Sequence, residues 1–387
     1  MQSTPKPWKQ AIFAAIARLE SVLRRRTAYS PTDLRGLRNF LVLQYESPLG
    51  SVVHATSFYQ ALKTAVPNAH VTVAASSMAA SVLQNNPYID RCVVTPDPSR
   101  NLMDTVRAVR GLLRSMPPGP CCIVTTVGNQ RPRIALVGVL AGNALRVGHT
   151  IAPSLVDIPL TFTPERGQIA GNLDILRALG HDVAFCEPSI FIASADAAYA
   201  AEFLGATTQQ TGPPRVAIVT QNSRGQRNQW PAQRFQQVCS NLSRECQATP
   251  IFVGTQADAD AIEALRGTLS DQGISLAGKT TVPQLAAVLA QCDLIVSLDT
   301  GTFHVARAVG LPGVVIAPAW QSPLEWLPVG HPRYRVLRGP SISVIPPDYR
   351  MEEIEVEAVT AAAMDLLREF APSLNDRAAR LQRVLVR

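Results

Sequence analysis

Short β-rich apolar runs, separated by helix-length stretches in one series and then again in a second, constrain this chain more than any other feature. The first series is NFLVLQY (39–45), HVTVAA (70–75), RCVVT (91–95), CCIVTT (121–126) and ALRVG (144–148), with helical stretches at 51–66, 101–115 and 131–141 between them. Apolar runs that do not alternate with polar residues are covered on both faces, as strands of a parallel sheet between helices are. After the polar stretch TTQQTGPP (207–214) the pattern restarts with RVAIVT (215–220), TPIFVG (249–254), GISLAG (273–278), DLIVSL (293–298) and GVVIAP (313–318). Helices are expected near 231–246, 257–270, 282–291 and 300–309, then from about 351 to 371 ahead of a polar tail with a weak apolar stripe. This predicts an α/β protein of two Rossmann-like, doubly wound domains hinged near 205–214. Their sheets would face each other across a cleft at the carboxyl ends of the strands, where such folds bind ligands.

The 387 residues are enough for two domains, and 47% hydrophobic against 17% charged residues excludes disorder. No apolar run reaches the roughly 18 residues of a membrane span. The opening MQSTPKPWKQ has no signal-peptide pattern, so a cytoplasmic protein is expected. Seven cysteines stand singly or as the adjacent pair Cys121–Cys122, with no C-x-x-C, and read as small core residues. Residues 1–38 carry eight basic and two acidic side chains, which is +6 of the chain's +7. Basicity is therefore expected at the N-terminus and neutrality elsewhere. Trp8, Ile12, Ile16, Leu19 and Leu23 share helical spacing, with Arg18 and Arg24–Arg26 near the rim. A basic amphipathic helix of this kind lies on a membrane surface or docks on its own protein. Nucleic acid is not expected, since no binding motif is present.

The most informative stretch is DLIVSLDTGTFHVARAVGLP (293–312). A strand ends at Leu298, and Asp299-Thr300-Gly301-Thr302 turns directly into a helix. Asp or Thr caps a helix start well, and the amides there attract anions. Gly301 admits close approach of a phosphate, Thr300 and Thr302 add hydroxyls, and His304 lies in the first turn. Taken alone, this is equally a well-capped turn with a surface histidine.

The longer segment LAGKTTVPQLAAVLAQCDLIVSLDTGTFHVARAVGLP (276–312) resembles the signature of the heptosyltransferases, glycosyltransferase family 9. That family shows a G-K-(T/S) turn, a Leu/Ala-rich helix, and a strand ending (D/N)-(T/S)-G-x-x-H. LVLQYESPLGSVVHATSFYQALKTAVPNAHVTV (41–73), NNPYIDRCV (85–93) and NSRGQRNQWPAQRFQQV (222–238) resemble further parts of it, so the likeness runs over about residues 39–340. It implies a GT-B fold. Residues 1–38 would form a basic extension, 39–205 the acceptor domain, 206–350 the nucleotide-sugar donor domain, and 351–387 a C-terminal helix and tail. It also implies inverting, metal-independent transfer of a heptose or similar sugar from an ADP-sugar to a lipopolysaccharide-core or related, lipid-linked glycan. Such acceptors are assembled at the inner face of the inner membrane, where the protein would sit peripherally. No cofactor is needed beyond the ADP-sugar co-substrate.

By the same resemblance, Asp299, Thr300, Gly301, Thr302 and His304 would hold the diphosphate. The loop with Asn222 and Ser223 would close over it. Members usually carry a lysine where this chain has Asn228, and the adjacent Arg227 either supplies the charge or is a solvated loop arginine. Gln256 stands where the family often has a Glu on the ribose. The metal-carrying Asp-x-Asp pair of other glycosyltransferases is not expected, and helix termini with Arg227 would neutralise the leaving group. The departure in the first domain goes deeper. Where the family has the aspartate assigned as base, this chain has Ser51, and a serine without its own base cannot take the acceptor's proton. Glu46 and His54 are the nearby substitutes. A catalytically impaired member that binds without transfer is the alternative. A dehydrogenase or epimerase on the same scaffold is disfavoured because E-S-P-L-G-S follows the first strand where G-x-G-x-x-G would be required.

Overall fold

A computed structural model of the chain describes residues 15, 29–45, 48–205, 212–221, 227–270, 273–370 and 374–386, and of 374–376 the backbone alone. Contacts divide it into two units, Met1–Pro188 and Ser189–Arg387.

The first unit is built on β1 (Asn39–Gln44), β2 (His70–Ala75), β3 (Arg91–Val94), β4 (Cys121–Thr125), β5 (Leu145–His149) and β6 (Ile158–Leu160). All pair in parallel, in the order β3-β2-β1-β4-β5-β6. Around the sheet lie α1 (Pro31–Arg35), α2 (Leu49–Ala65), α3 (Ser77–Leu83), α4 (Leu102–Ser115), α5 (Pro132–Ala141) and α6 (Gln168–Ala178). β1 is buried along its whole length, as its unbroken apolar run predicts. α2 is buried over most of its surface and packs on α6. α4 and α5 lie side by side, and Val106, Val109, Leu112, Ile134 and Val137 form one core with Leu41, Leu43 and Ile123 of the sheet.

The second unit repeats the plan with β7 (Arg215–Val219), β8 (Thr249–Phe252), β9 (Ile274–Ser275), β10 (Leu294–Leu298), β11 (Gly313–Ile316) and β12 (Tyr334–Leu337), all parallel, in the order β12-β11-β10-β7-β8-β9. Its helices are α7 (Ser194–Leu204), α8 (Ala232–Cys246), α9 (Ala259–Arg266), α10 (Val282–Ala290), α11 (Gly301–Ala308), α12 (Val356–Glu369) and α13 (Leu374–Val384). Counted within each unit, both sheets have the 3-2-1-4-5-6 order of doubly wound folds, with the reversal between their first and fourth strands. Two short edge strands, β6 and β12, are absent from the sequence expectation, because three or four half-buried residues leave little apolar signal.

Three boundaries differ from those expected. The division falls at 188/189, not near 205–214, because α7 packs on α10 and so belongs to the second unit. Residues 29–38 are part of the first unit: Leu37 is 1% exposed, and the carbonyl of Arg38 accepts the amide of His70 at 2.7 Å. Residues 1–14 and 16–28, with most of the expected amphipathic helix, lie outside the described residues. The expected polar tail is the helix α13, which packs on α10. Buried Arg377 donates from Nε to Asp293 Oδ1 at 2.7 Å, and Arg380 from Nε to the carbonyl of Ala290 at 3.3 Å. A polar residue pattern concealed this helix because arginines make its buried contacts. Among the described residues no helix is long and apolar enough to cross a membrane.

Candidate functional site

In the second unit β7 and β10 lie side by side at the reversal, the place where doubly wound folds bind their ligands. The β10 connection is short: Asp299, then Thr300 at the N-cap with extended backbone, then α11 from Gly301. Thr300 occupies the expected cap position, yet its side chain makes no capping bond, and its buried Oγ1 has no hydrogen-bond partner. The first amides of α11 have no carbonyl ahead of them within the helix. Free amides, an uncommitted hydroxyl and the positive end of a helix together make an anion-binding turn.

His304 is buried in α11. It is 3% exposed, its Nε2 is 3.6 Å from Asp299 Oδ1, and its ring lies 5.7 Å from that of Trp326. The histidine lies beside Asp299. Asn228 is likewise buried, and its Nδ2 donates to the carbonyl of Asp299 at 3.0 Å. The position where the family carries lysine is therefore a tie between the β7 and β10 connections. Arg227 is exposed at its side: its carbonyl accepts Trp320 Nε1 at 2.7 Å, and its guanidinium donates to the carbonyl of Ile345 at 3.3 Å. Trp230 anchors the same connection from below, donating to the carbonyl of Ile354 at 3.0 Å and meeting Phe235 edge-on. Asn222 and Ser223 lie outside the described residues.

Gln256 follows β8 at the same carboxyl edge and is exposed. It lies against Gly278 of the Gly-Lys-Thr turn. Gly278 has φ +68°, and a Cβ there would stand 2.8 Å from the Gln256 Cα, so glycine is required on two counts. One Asp-x-Asp spacing, Asp258-Ala259-Asp260, corrects the expectation that the chain has no such pair. Asp258 Oδ2 already accepts the amide and the hydroxyl of Thr255, both at 2.7 Å, in a capping box.

In the first unit, Ser51 is in the first turn of α2 and 3% exposed, and His54 is 1% exposed. Glu46 lies outside the described residues. What the sequence did not point to there is a polar network at the reversal between β1 and β4. Asn129 Oδ1 accepts the amide of Tyr45 at 2.7 Å, and its Nδ2 donates to Thr126 Oγ1 at 2.9 Å. That hydroxyl donates in turn to Gln44 Oε1 at 3.0 Å. Asn172 Oδ1 takes the amide of Val127 at 2.9 Å. In the second unit Trp320 and Trp326 were also missed, although two tryptophans in the connection after β11 were a visible signal.

Residues 173–332 match the family model of glycosyltransferase family 9 (heptosyltransferase). Lipooligosaccharide heptosyltransferase 2 of Haemophilus influenzae is 27% identical over 109 residues, covering 26% of this chain and 31% of that protein. The same enzyme of Haemophilus ducreyi is 27% identical over 135 residues, covering 32% and 38%. This chain thus matches about a third of the length of these curated relatives. Among solved structures, a family 9 glycosyltransferase from Veillonella parvula superposes with a TM-score of 0.74 at 20% identity, over 85% of this chain and 97% of that one. E. coli heptosyltransferase WaaC, solved with ADP, gives 0.62 at 15% identity, over 86% and 100%. These superpositions establish the GT-B fold.

Proposed function

We propose that this chain, a member of glycosyltransferase family 9 by its residues 173–332, moves a heptose or similar sugar from an ADP-sugar to a lipopolysaccharide-core or related glycan acceptor. The observation that carries the proposal is the turn from Asp299 to Thr302, where helix amides and the uncommitted Thr300 hydroxyl meet at the fold's ligand crevice. A diphosphate fits this chemistry: acceptors are abundant on the ligand and donors are abundant on the turn. That a relative of the same fold holds ADP supports the choice of nucleotide.

Transfer requires the acceptor oxygen to attack the anomeric carbon as the bond to the diphosphate breaks, which inverts that carbon. The acceptor's proton passes to a base, and the charge on the departing ADP falls on the α11 amides, the Thr300 and Thr302 hydroxyls and Arg227. No metal takes part in this scheme. Ser51 cannot serve as the base, and His54 is sealed from solutes by its burial. We assign the role to Glu46. A second proposal, binding without transfer, is favoured by Ser51 standing where the family has its aspartate.

Mass-resolved transfer from ADP-heptose to a truncated core acceptor tests both. Product is expected from the parent, and Glu46→Gln should cut turnover by at least ~10²-fold with ADP affinity kept. An active Glu46→Gln beside a dead His54→Ala would make the histidine the base. ADP binding with no transfer to any acceptor leaves the binding-only proposal standing.

A further inference from the structure

Beyond residues 1–38, the net positive charge lies in residues 91–133 of the first unit. Residues 91–133 hold seven arginines against Asp97 and Asp104, a net of +5, with no lysine or glutamate. Since residues 1–38 carry +6 of the chain's +7, everything outside these two segments is net −4. The expectation of a neutral body therefore fails locally.

The inner side of α4 is committed to the core through Val106, Val109 and Leu112. Its outer side presents Met103, Arg107, Arg110 and Arg114, spaced four, three and four, which is a single line along an α-helix. Met103 is 55% exposed and the Arg107 side chain 73%. Leu140 of the neighbouring α5 is 39% exposed and adjoins the line, because Arg110 donates to its carbonyl at 2.7 Å. Asp104 is the one acidic residue of α4, and α5 has none.

We infer that this α4–α5 face seats the protein on an anionic lipid surface, with the arginines against headgroup phosphates. Met103 and Leu140 enter the acyl boundary beneath them. Guanidinium groups on long apolar stems suit that depth, and each basic residue near such a surface is worth about fivefold in binding. Lipid fits better than nucleic acid, because exposed Met103 and Leu140 flank the arginines and no aromatic ring is on the line to stack a base. The outer side of a helix layer is also separate from the carboxyl edge of the sheet, so a docked protein keeps that edge open.

The test is co-sedimentation of the full chain with phosphatidylglycerol–phosphatidylcholine vesicles at low salt. Binding should fade as salt rises. Arg107→Glu with Arg114→Glu should lower partitioning at least about tenfold, and the paired change to Lys should keep it within about twofold. Thermal unfolding of both variants checks their folding, and the paired change to Gln gives a second reading with an intermediate loss. Charge-reversed protein that sediments like the parent overturns the inference and moves membrane binding to residues 1–28. Equal binding to pure phosphatidylcholine overturns it, and so does tight binding to single-stranded RNA without vesicle binding.

Discussion

The two units have the same strand order, yet their reversal points are finished differently. In the first, the turn after β4 is bonded by the protein's own side chains: Asn129 serves Tyr45 and Thr126, Thr126 serves Gln44, and Asn172 serves Val127, with Asn172 Nδ2 left unbonded. In the second, α11 begins two residues after β10, and the Thr300 hydroxyl at its start is bonded to nothing in the protein. A shared topology supplies the crevice in both places. Whether that crevice recognises an anion depends on whether side chains have already satisfied its donors.

The largest effect should come from opening the closed reversal. Asn129→Ala leaves the Tyr45 amide without its partner in the interior, removes the donor to Thr126 Oγ1, and should cost about 3 kcal/mol in urea unfolding. ADP affinity should stay, since the nucleotide is assigned to the other unit. A loss below about 1 kcal/mol would mean that the network is not what closes the turn. Next is Thr302→Asp at the open reversal. A carboxylate in the first turn of α11 should leave the helix as stable or slightly more so. Against a diphosphate it should weaken ADP binding by more than ~1.4 kcal/mol, a factor of ten, in calorimetry. Unchanged affinity would remove the diphosphate from this turn.

The smallest effect concerns His149, which ends β5 beside the closed reversal and accepts Thr125 Oγ1 at its carbonyl. Burial lowers its pKa, partly offset by the bond from its Nε2–H to the carbonyl of Gly171 at 2.8 Å. The unfolded chain then binds the proton more readily than the folded one. Stability from this site is full above the ordinary histidine value of about 6.5 and falls as pH drops below it toward the lowered folded value. His149→Gln should flatten that slope in unfolding measured over the acid range. An unaltered slope would place the titration elsewhere and leave the interior around β5 less dry than its burial indicates.

Local patterns in the chain determined much of this. Unbroken apolar runs of four to six residues can only be two-sided strands, and their alternation with helices left a doubly wound α/β fold as the solution. The Asp-Thr-Gly start of α11 was legible because cap and turn chemistry is a matter of adjacent residues. The tertiary structure decided everything that depends on distant partners. Asn228 and Asp299 are 71 positions apart, Tyr45 and Asn129 84, and Asp293 and Arg377 84. A polar side chain is written the same way in the sequence whether it caps, ties or waits for a ligand. Burial and the partner brought to it by the sheet order distinguish these cases, so Asn228 became a tie, His304 a buried neighbour of Asp299, and Thr300 a residue with an unbonded hydroxyl.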